Sequence, residues 1–166
     1  IHLEEVESDG LTIDLMLKGG GCENVGRQYS LPETNLNAGR DLKGVRKVVL
    51  DAVHQAQGQG CSPGFLGVAI GGDRSSSYLV SKEALLRSPG DTNPNPELQA
   101  LEEQITQDAN ELGIGPMGFG GKSTVLGTKI KAAYRLPASY FVTISYMCWA
   151  YRHRTMTIKG NEVTYK

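Results

Sequence analysis

The chain has 166 residues, a net charge of -1 and 39% hydrophobic residues. That length suits one domain able to bury a core, and the balanced charge gives no pull toward nucleic acid or an anionic membrane. No apolar run approaches a membrane span and no charged-then-apolar leader is evident, so a cytoplasmic location is expected.

Residues 2–8 and 11–18 read as two strands joined at Asp9-Gly10, a strong hairpin signal. Leu11, Ile13, Leu15 and Leu17 alternate, which gives one apolar face. Lys18-Gly19-Gly20-Gly21-Cys22-Glu23-Asn24 follows, and residues 25–40 look irregular. Asp41 is a good N-cap, and Val45, Val48, Val49, Ala52, Val53 and Ala56 mark the stripe of a helix that stops at Gly58 and Gly60. Cys61 lies in a turn made by Pro63 and Gly64, ahead of a short buried strand from Phe65 to Ile70. Residues 78–87 suggest a helix. After a polar loop, Asn95 caps the next helix with Pro96 at its first position, and Gly113 ends it. Residues 125–135 and 140–147 alternate like strands, and residues 154–165 form a last hairpin around Gly160-Asn161. The pattern predicts an α+β class, a mixed α/β domain with hairpins at both ends and helices packed on sheet, with no internal boundary over 1–166.

Three cysteines and no Cys-x-x-Cys pair argue against a disulfide framework or a zinc finger, and favour a reduced compartment. Cys22 reads best as a small buried hydrophobe. Cys61, in Gly60-Cys61-Ser62-Pro63-Gly64, sits in a turn whose backbone N–H groups can stabilise a thiolate or bond cluster sulfides. Cys148 ends a strand just before Arg152 and Arg154, which suit a dianionic ligand. Glycine is abundant, 21 residues, and clusters in loops. Gly118-Phe119-Gly120-Gly121-Lys122-Ser123 looks like the end of a phosphate loop. However, Pro116 stands where its first glycine is required, and a helix precedes the segment where a strand should. Lys18-Gly19-Gly20-Gly21 still suits a carboxylate through backbone N–H groups. Lys82, Glu83 and Arg87 read as an ordinary solvated helix face.

Taken together, Lys18 to Asn24, Gly60 to Gly64, Gly67-Val68-Ala69-Ile70-Gly71-Gly72, Lys82 to Arg87, Leu112 to Lys122 and Pro137-Ala138-Ser139 followed by Cys148 resemble the class I, iron–sulfur fumarate hydratases. The resemblance is to the α subunit, or the N-terminal domain of single-chain forms, and relatives include L-tartrate dehydratase. It implies a [4Fe–4S] cluster held by three cysteines, two of them at Cys61 and Cys148. The first ligand of the family lies in a Cys-Gln-Asp-Thr-Gly motif that this chain lacks. The chain is therefore expected to be the C-terminal part of an α subunit, inactive and without a cluster on its own.

The resemblance places substrate contact at Gly20 and Gly21. It puts Cys22 where serine is usual, and Leu136 where many relatives have a substrate-contacting histidine, with Arg135 as a partial substitute. It implies reversible hydration of fumarate to L-malate, with the base on a β subunit or C-terminal catalytic domain. Exposed apolar surface would favour a homo-oligomer or strand exchange. A tartrate or methylfumarate dehydratase subunit, or a non-catalytic anion-binding module, are the alternatives.

Overall fold

The computed structural model describes residues 2–166. They segregate into two compact units, one formed by the two ends of the chain and one by Lys18–Tyr151.

The larger unit is built on a four-stranded sheet. Its strands are β2 (Arg27–Ser30), β3 (Gly64–Ile70), β4 (Val125–Ala132) and β5 (Phe141–Cys148), in the order β2-β5-β3-β4. Strand β3 is parallel to β4 and antiparallel to β5, so Gly64 lies opposite Cys148 and Ile70 opposite Val142. Helices α2 (Leu42–Ala56) and α4 (Pro96–Glu111) share a core with one face of the sheet. Leu66, Val68, Val142, Ile144 and Tyr146 alternate inward from that face to meet Val45, Val48, Val49, Leu101 and Ile105. The caps follow the sequence: Asp41 accepts from Gly44 N at 2.6 Å, and Asn95 from Glu97 N and Leu98 N.

Helix α3 (Arg74–Ala84) lies against β3, β4 and β5 and starts four residues before the expected Tyr78. Asp73 sets the start through a capping box with Ser76; the Ser76 and Ser75 amides pull its carboxyl down to about 2. The contact surface is small and polar. Ser77 Oγ pairs with Thr143 Oγ1 and Ser81 Oγ with Ser145 Oγ, each at 2.7 Å. At Gly67 a Cβ would run into the Ser81 carbonyl oxygen, so glycine permits this close packing of helix on strand.

Edge strand β4 is sealed by side chains instead of another strand. Glu102, 4% exposed, accepts from Ile130 N at 2.7 Å, while Arg87 and Asn93 both donate to Ile130 O. Arg87 also bonds Glu102 at 2.6 Å and Asp91 at 2.9 Å, and Asp91 takes Lys129. Arg87 is thus part of a buried network and not the solvated helix face that its neighbours suggested.

The smaller unit is a three-stranded antiparallel sheet in the order β1-β6-β7, from β1 (Gly10–Leu17), β6 (Arg152–Lys159) and β7 (Glu162–Tyr165). The closing hairpin forms as expected; the opening one does not. Residues 2–9 form no strand, and β1 pairs along all its eight residues with β6. The acidic run Glu4, Glu5, Glu7 and Asp9 is poor strand sequence, and Leu3 and Val6 stay 87% and 70% exposed. On one face Leu11, Ile158 and Val163 form a row, and Ile13, Met156 and Tyr165 a second. Leu11, Ile13, Leu15, Leu17, Val163 and Tyr165 are all exposed.

Candidate metal centre

The cysteines come together at one end of the large sheet. Cys148 ends β5 and Gly64 opposite it begins β3, so the turn carrying Cys61 rises beside the end of β5. Cys22 arrives from α1 (Gly20–Glu23), a single turn where the sequence suggested a loop. From the position a Cβ would take at Gly19, Cys22 Sγ lies 3.4 Å away and Cys148 Sγ 3.8 Å. Cys22 Sγ also donates to the carbonyl of Gly60, the residue before Cys61, at 3.3 Å. Burial pushes the Cys22 thiol up, and the Cys148 thiol within hydrogen-bonding reach adds to this. Tyr146 lies behind the group. Burial raises its phenol, and charge on Cys22, Cys148 and Cys61 would each raise it further.

Cys22 is therefore buried, as expected of a small hydrophobe, but its neighbour is a thiol. No spacing in the sequence links residues 22 and 148; their proximity is a product of α1 packing on the end of β5.

Cys61 differs from the other two. It is exposed and its φ is +62°, in the left-handed region. The 113–121 glycine loop holds this turn from behind. Met117 N donates to Ser62 O at 2.8 Å, and Ser62 Oγ donates to Gly115 O at 2.8 Å. A Cβ at Gly58 would collide with the Met117 carbonyl, so the two loops touch backbone to backbone. The glycine loop thus buttresses Cys61 and is followed by β4, which agrees with rejecting a phosphate loop.

Gly20 and Gly21 are exposed, and a side chain at either would meet nothing within 4 Å. Below them Glu23 pairs with Lys82 at 2.5 Å and with Lys18 at 2.9 Å. The Lys82 and Lys18 bonds hold the Glu23 carboxyl below its ordinary range. Lys82, with 40% of its side chain exposed, stays on the solvated helix face, as the sequence suggests, and unlike Arg87 it makes only an exposed ion pair.

Leu136 and Arg135 lie elsewhere. Their loop joins β4 to β5 at the Ile70–Val142 end of the sheet, about 20 Å along β3 from the cysteine end. Leu136 is 71% exposed, and Arg135 stacks over Tyr140 while donating to the Leu136, Pro137 and Ser139 carbonyls. Arg135 therefore cannot serve a ligand held by the cysteines of its own chain. Arg152 and Arg154 belong to β6 of the smaller unit.

The donor set is soft. Thiolates select iron–sulfur clusters, zinc or copper over hard cations. A single tetrahedral zinc, with sulfurs at 2.3 Å, would bring them within about 3.8 Å of one another. Cys22, Cys61 and Cys148 do not all gather within 4.8 Å. Cys61 and Cys148 offer thiolate donors of the kind that iron–sulfur clusters take.

The larger unit thus carries thiols at one end of its main sheet, and sequence comparison narrows the class. Residues 1–157 match the fumarate hydratase (Fumerase) family, and the chain belongs to it. It is 56% identical over 164 residues to a protein assigned as a fumarate hydratase class I in Geobacillus stearothermophilus, covering 97% of this chain and 32% of that protein. It is 33% identical over 155 residues to the L(+)-tartrate dehydratase subunit alpha of Escherichia coli K12, covering 93% of this chain and 50% of the subunit. The same figures hold for the subunit of Shigella sonnei. The chain thus spans 32% to 50% of the length of these relatives. Among the described residues no helix is long and apolar enough to cross a membrane.

Proposed function

We propose that this chain is the cluster-bearing part of an iron–sulfur hydro-lyase of the α-subunit type, acting in the cytoplasm to interconvert fumarate and L-malate, a step of the tricarboxylic acid cycle. The observation that carries the reading is the convergence of Cys61 and Cys148 at one end of the sheet, at the ligand positions of the resemblance. Fumarate is preferred to tartrate because the fumarate hydratase relative is 56% identical and the tartrate dehydratase subunit 33%. A purely anion-binding module would have no use for thiols placed in this way.

Cys61 and Cys148 would hold a [4Fe–4S] cluster with a third thiolate from outside these residues. When bound, the cluster supplies an iron without a protein ligand, a Lewis acid for the substrate hydroxyl and carboxylate. The chain's own part is positional. The 113–121 loop fixes the Cys61 turn, and the bare backbone of Gly20 and Gly21 lets a carboxylate approach the end of α1. Among the described residues, Lys18 and Lys82 near the thiols each form an ion pair with Glu23, and we assign the base to none of them. The base and the cations for a dianion come from a β subunit or C-terminal catalytic domain.

Anaerobic reconstitution of the 166-residue chain with iron and sulfide tests the reading. The expected result is no stable stoichiometric cluster and no turnover of fumarate. Turnover by the chain alone would overturn it. The apolar face of β1, β6 and β7 should also drive self-association, seen as a mass that rises with concentration in light scattering. A concentration-independent monomer would count against that part.

A further inference from the structure

Cys22 has no part in the proposed chemistry, yet its sulfur lies near that of Cys148, each within 4 Å of the point a Cβ would take at Gly19. Two constraints fix it there. Its own hydrogen bond to the Gly60 carbonyl, at 3.3 Å, orients the thiol. The absence of a side chain at Gly19 leaves both sulfurs within 4 Å of one point. The two residues come from different elements, α1 and the end of β5.

From this juxtaposition we propose that Cys22 and Cys148 form a site of reversible disulfide formation, with a hydroperoxide as oxidant and Cys61 as a bystander.

The chemistry closes without a further co-reactant. Of the pair, Cys148, 8% exposed against 2% for Cys22, is the thiol more open to a small peroxide. Its thiolate attacks one peroxide oxygen; an S–O bond forms, the O–O bond breaks and hydroxide leaves. The sulfur has lost two electrons and is a sulfenic acid. Cys22, as thiolate, then attacks that sulfur; an S–S bond forms, the S–O bond breaks and hydroxide departs. The two thiol protons convert both hydroxides to water. The sum is two thiols and one hydrogen peroxide giving one disulfide and two waters. Cys61 sits in its own exposed turn, held by Ser62 and Met117.

The disulfide itself does not depend on the cluster. Only its consequence rests on the proposed function: the bridge would take Cys148 away from the centre, and reduction would return it. A serine at position 22 would leave Cys148 without a resolving thiol and open to further oxidation.

The test uses the full chain, reduced and stripped of metal under nitrogen, then given one equivalent of hydrogen peroxide. Thiols are counted by alkylation and the bridge located by non-reducing peptide mapping. Two of the three thiols should disappear, Cys61 should remain alkylatable, and dithiothreitol should restore all three. The peptides carrying Cys22 and Cys148 should appear joined, at a mass about 2 Da below their sum. In Cys61→Ser the count should fall from two to none with the same joined peptides. If Cys22 stays alkylatable after Cys148 has oxidised, or if the bridge contains Cys61, the proposal is wrong. Wild-type mapping decides the matter by itself should Cys61→Ser fail to fold.

Discussion

Replacing Cys148 by serine in the complete protein should abolish iron binding and with it almost all turnover. Lewis-acid activation of a leaving hydroxyl is worth several kcal/mol, so its loss converts to a fall in kcat of roughly a thousandfold or more. Cys61→Ser should do the same, by a different structural route. Cys148 is 8% exposed at the end of β5, whereas Cys61 is exposed in a turn that the 113–121 loop supports. Serine in either place changes one atom and keeps the backbone, so circular dichroism should be unaltered while iron per chain falls. Cys22→Ser is the contrast. Cys22 is not one of the proposed ligands, so iron content should be retained. Iron analysis and visible absorbance, read together with turnover, check all three. Full iron content in Cys148→Ser would remove that residue from the centre, and loss of iron in Cys22→Ser would add Cys22 to it.

What the sequence shows of this site is its separate pieces. Cys61 is legible because its surroundings are local: glycines, a proline and the end of a helix all fall within a few residues. The same holds for Asp41, Asn95 and Pro96, whose capping roles depend on atoms three or four positions away. The contact of Cys22 with Cys148 depends on α1 meeting the end of β5, and nothing in the spacing of the two residues encodes that.

The opening strand shows the same limit. The alternation of Leu11, Ile13, Leu15 and Leu17 predicts β1, but not its partner. Asp9-Gly10 pointed to a local hairpin, and the actual partner is β6 at the far end of the chain. Helix α3 was misplaced for another reason. Its buried side carries Ser77 and Ser81 bonded to Thr143 and Ser145, so the apolar stripe that marks α2 and α4 is missing from it. The Ser76–Asp73 capping box was in plain view, four residues ahead of the expected start.

The largest effect on stability is expected at Glu102, far from the cysteines. Its Oε1 accepts from Arg87 at 2.6 Å and from Asn93 and Ile130 N at 2.7 Å, with only 4% of the residue exposed. Glu102→Ala would remove the acceptor of the Ile130 amide and one that Asn93 uses, together with one of the two carboxylates that face Arg87, which keeps Asp91. Breaking a buried pair from one side costs about 3–5 kcal/mol. For a domain of this size that lowers Tm by roughly 6–20 °C. The network also carries an acid limb. Burial pushes the Asp91 carboxyl up, but Arg87 and Lys129 outweigh burial and hold it below its ordinary value of 3.8. A carboxyl depressed in the folded state contributes stability that is fully present above its unfolded pKa. That contribution is lost as pH falls through the folded value. Asp91→Asn should therefore be less stable than wild type at neutral pH and approach it below about pH 3.8. Urea denaturation at neutral and acid pH measures both variants. Glu102→Ala within about 0.5 kcal/mol of wild type would mean that water reaches Arg87 and that the seal on β4 is not dry.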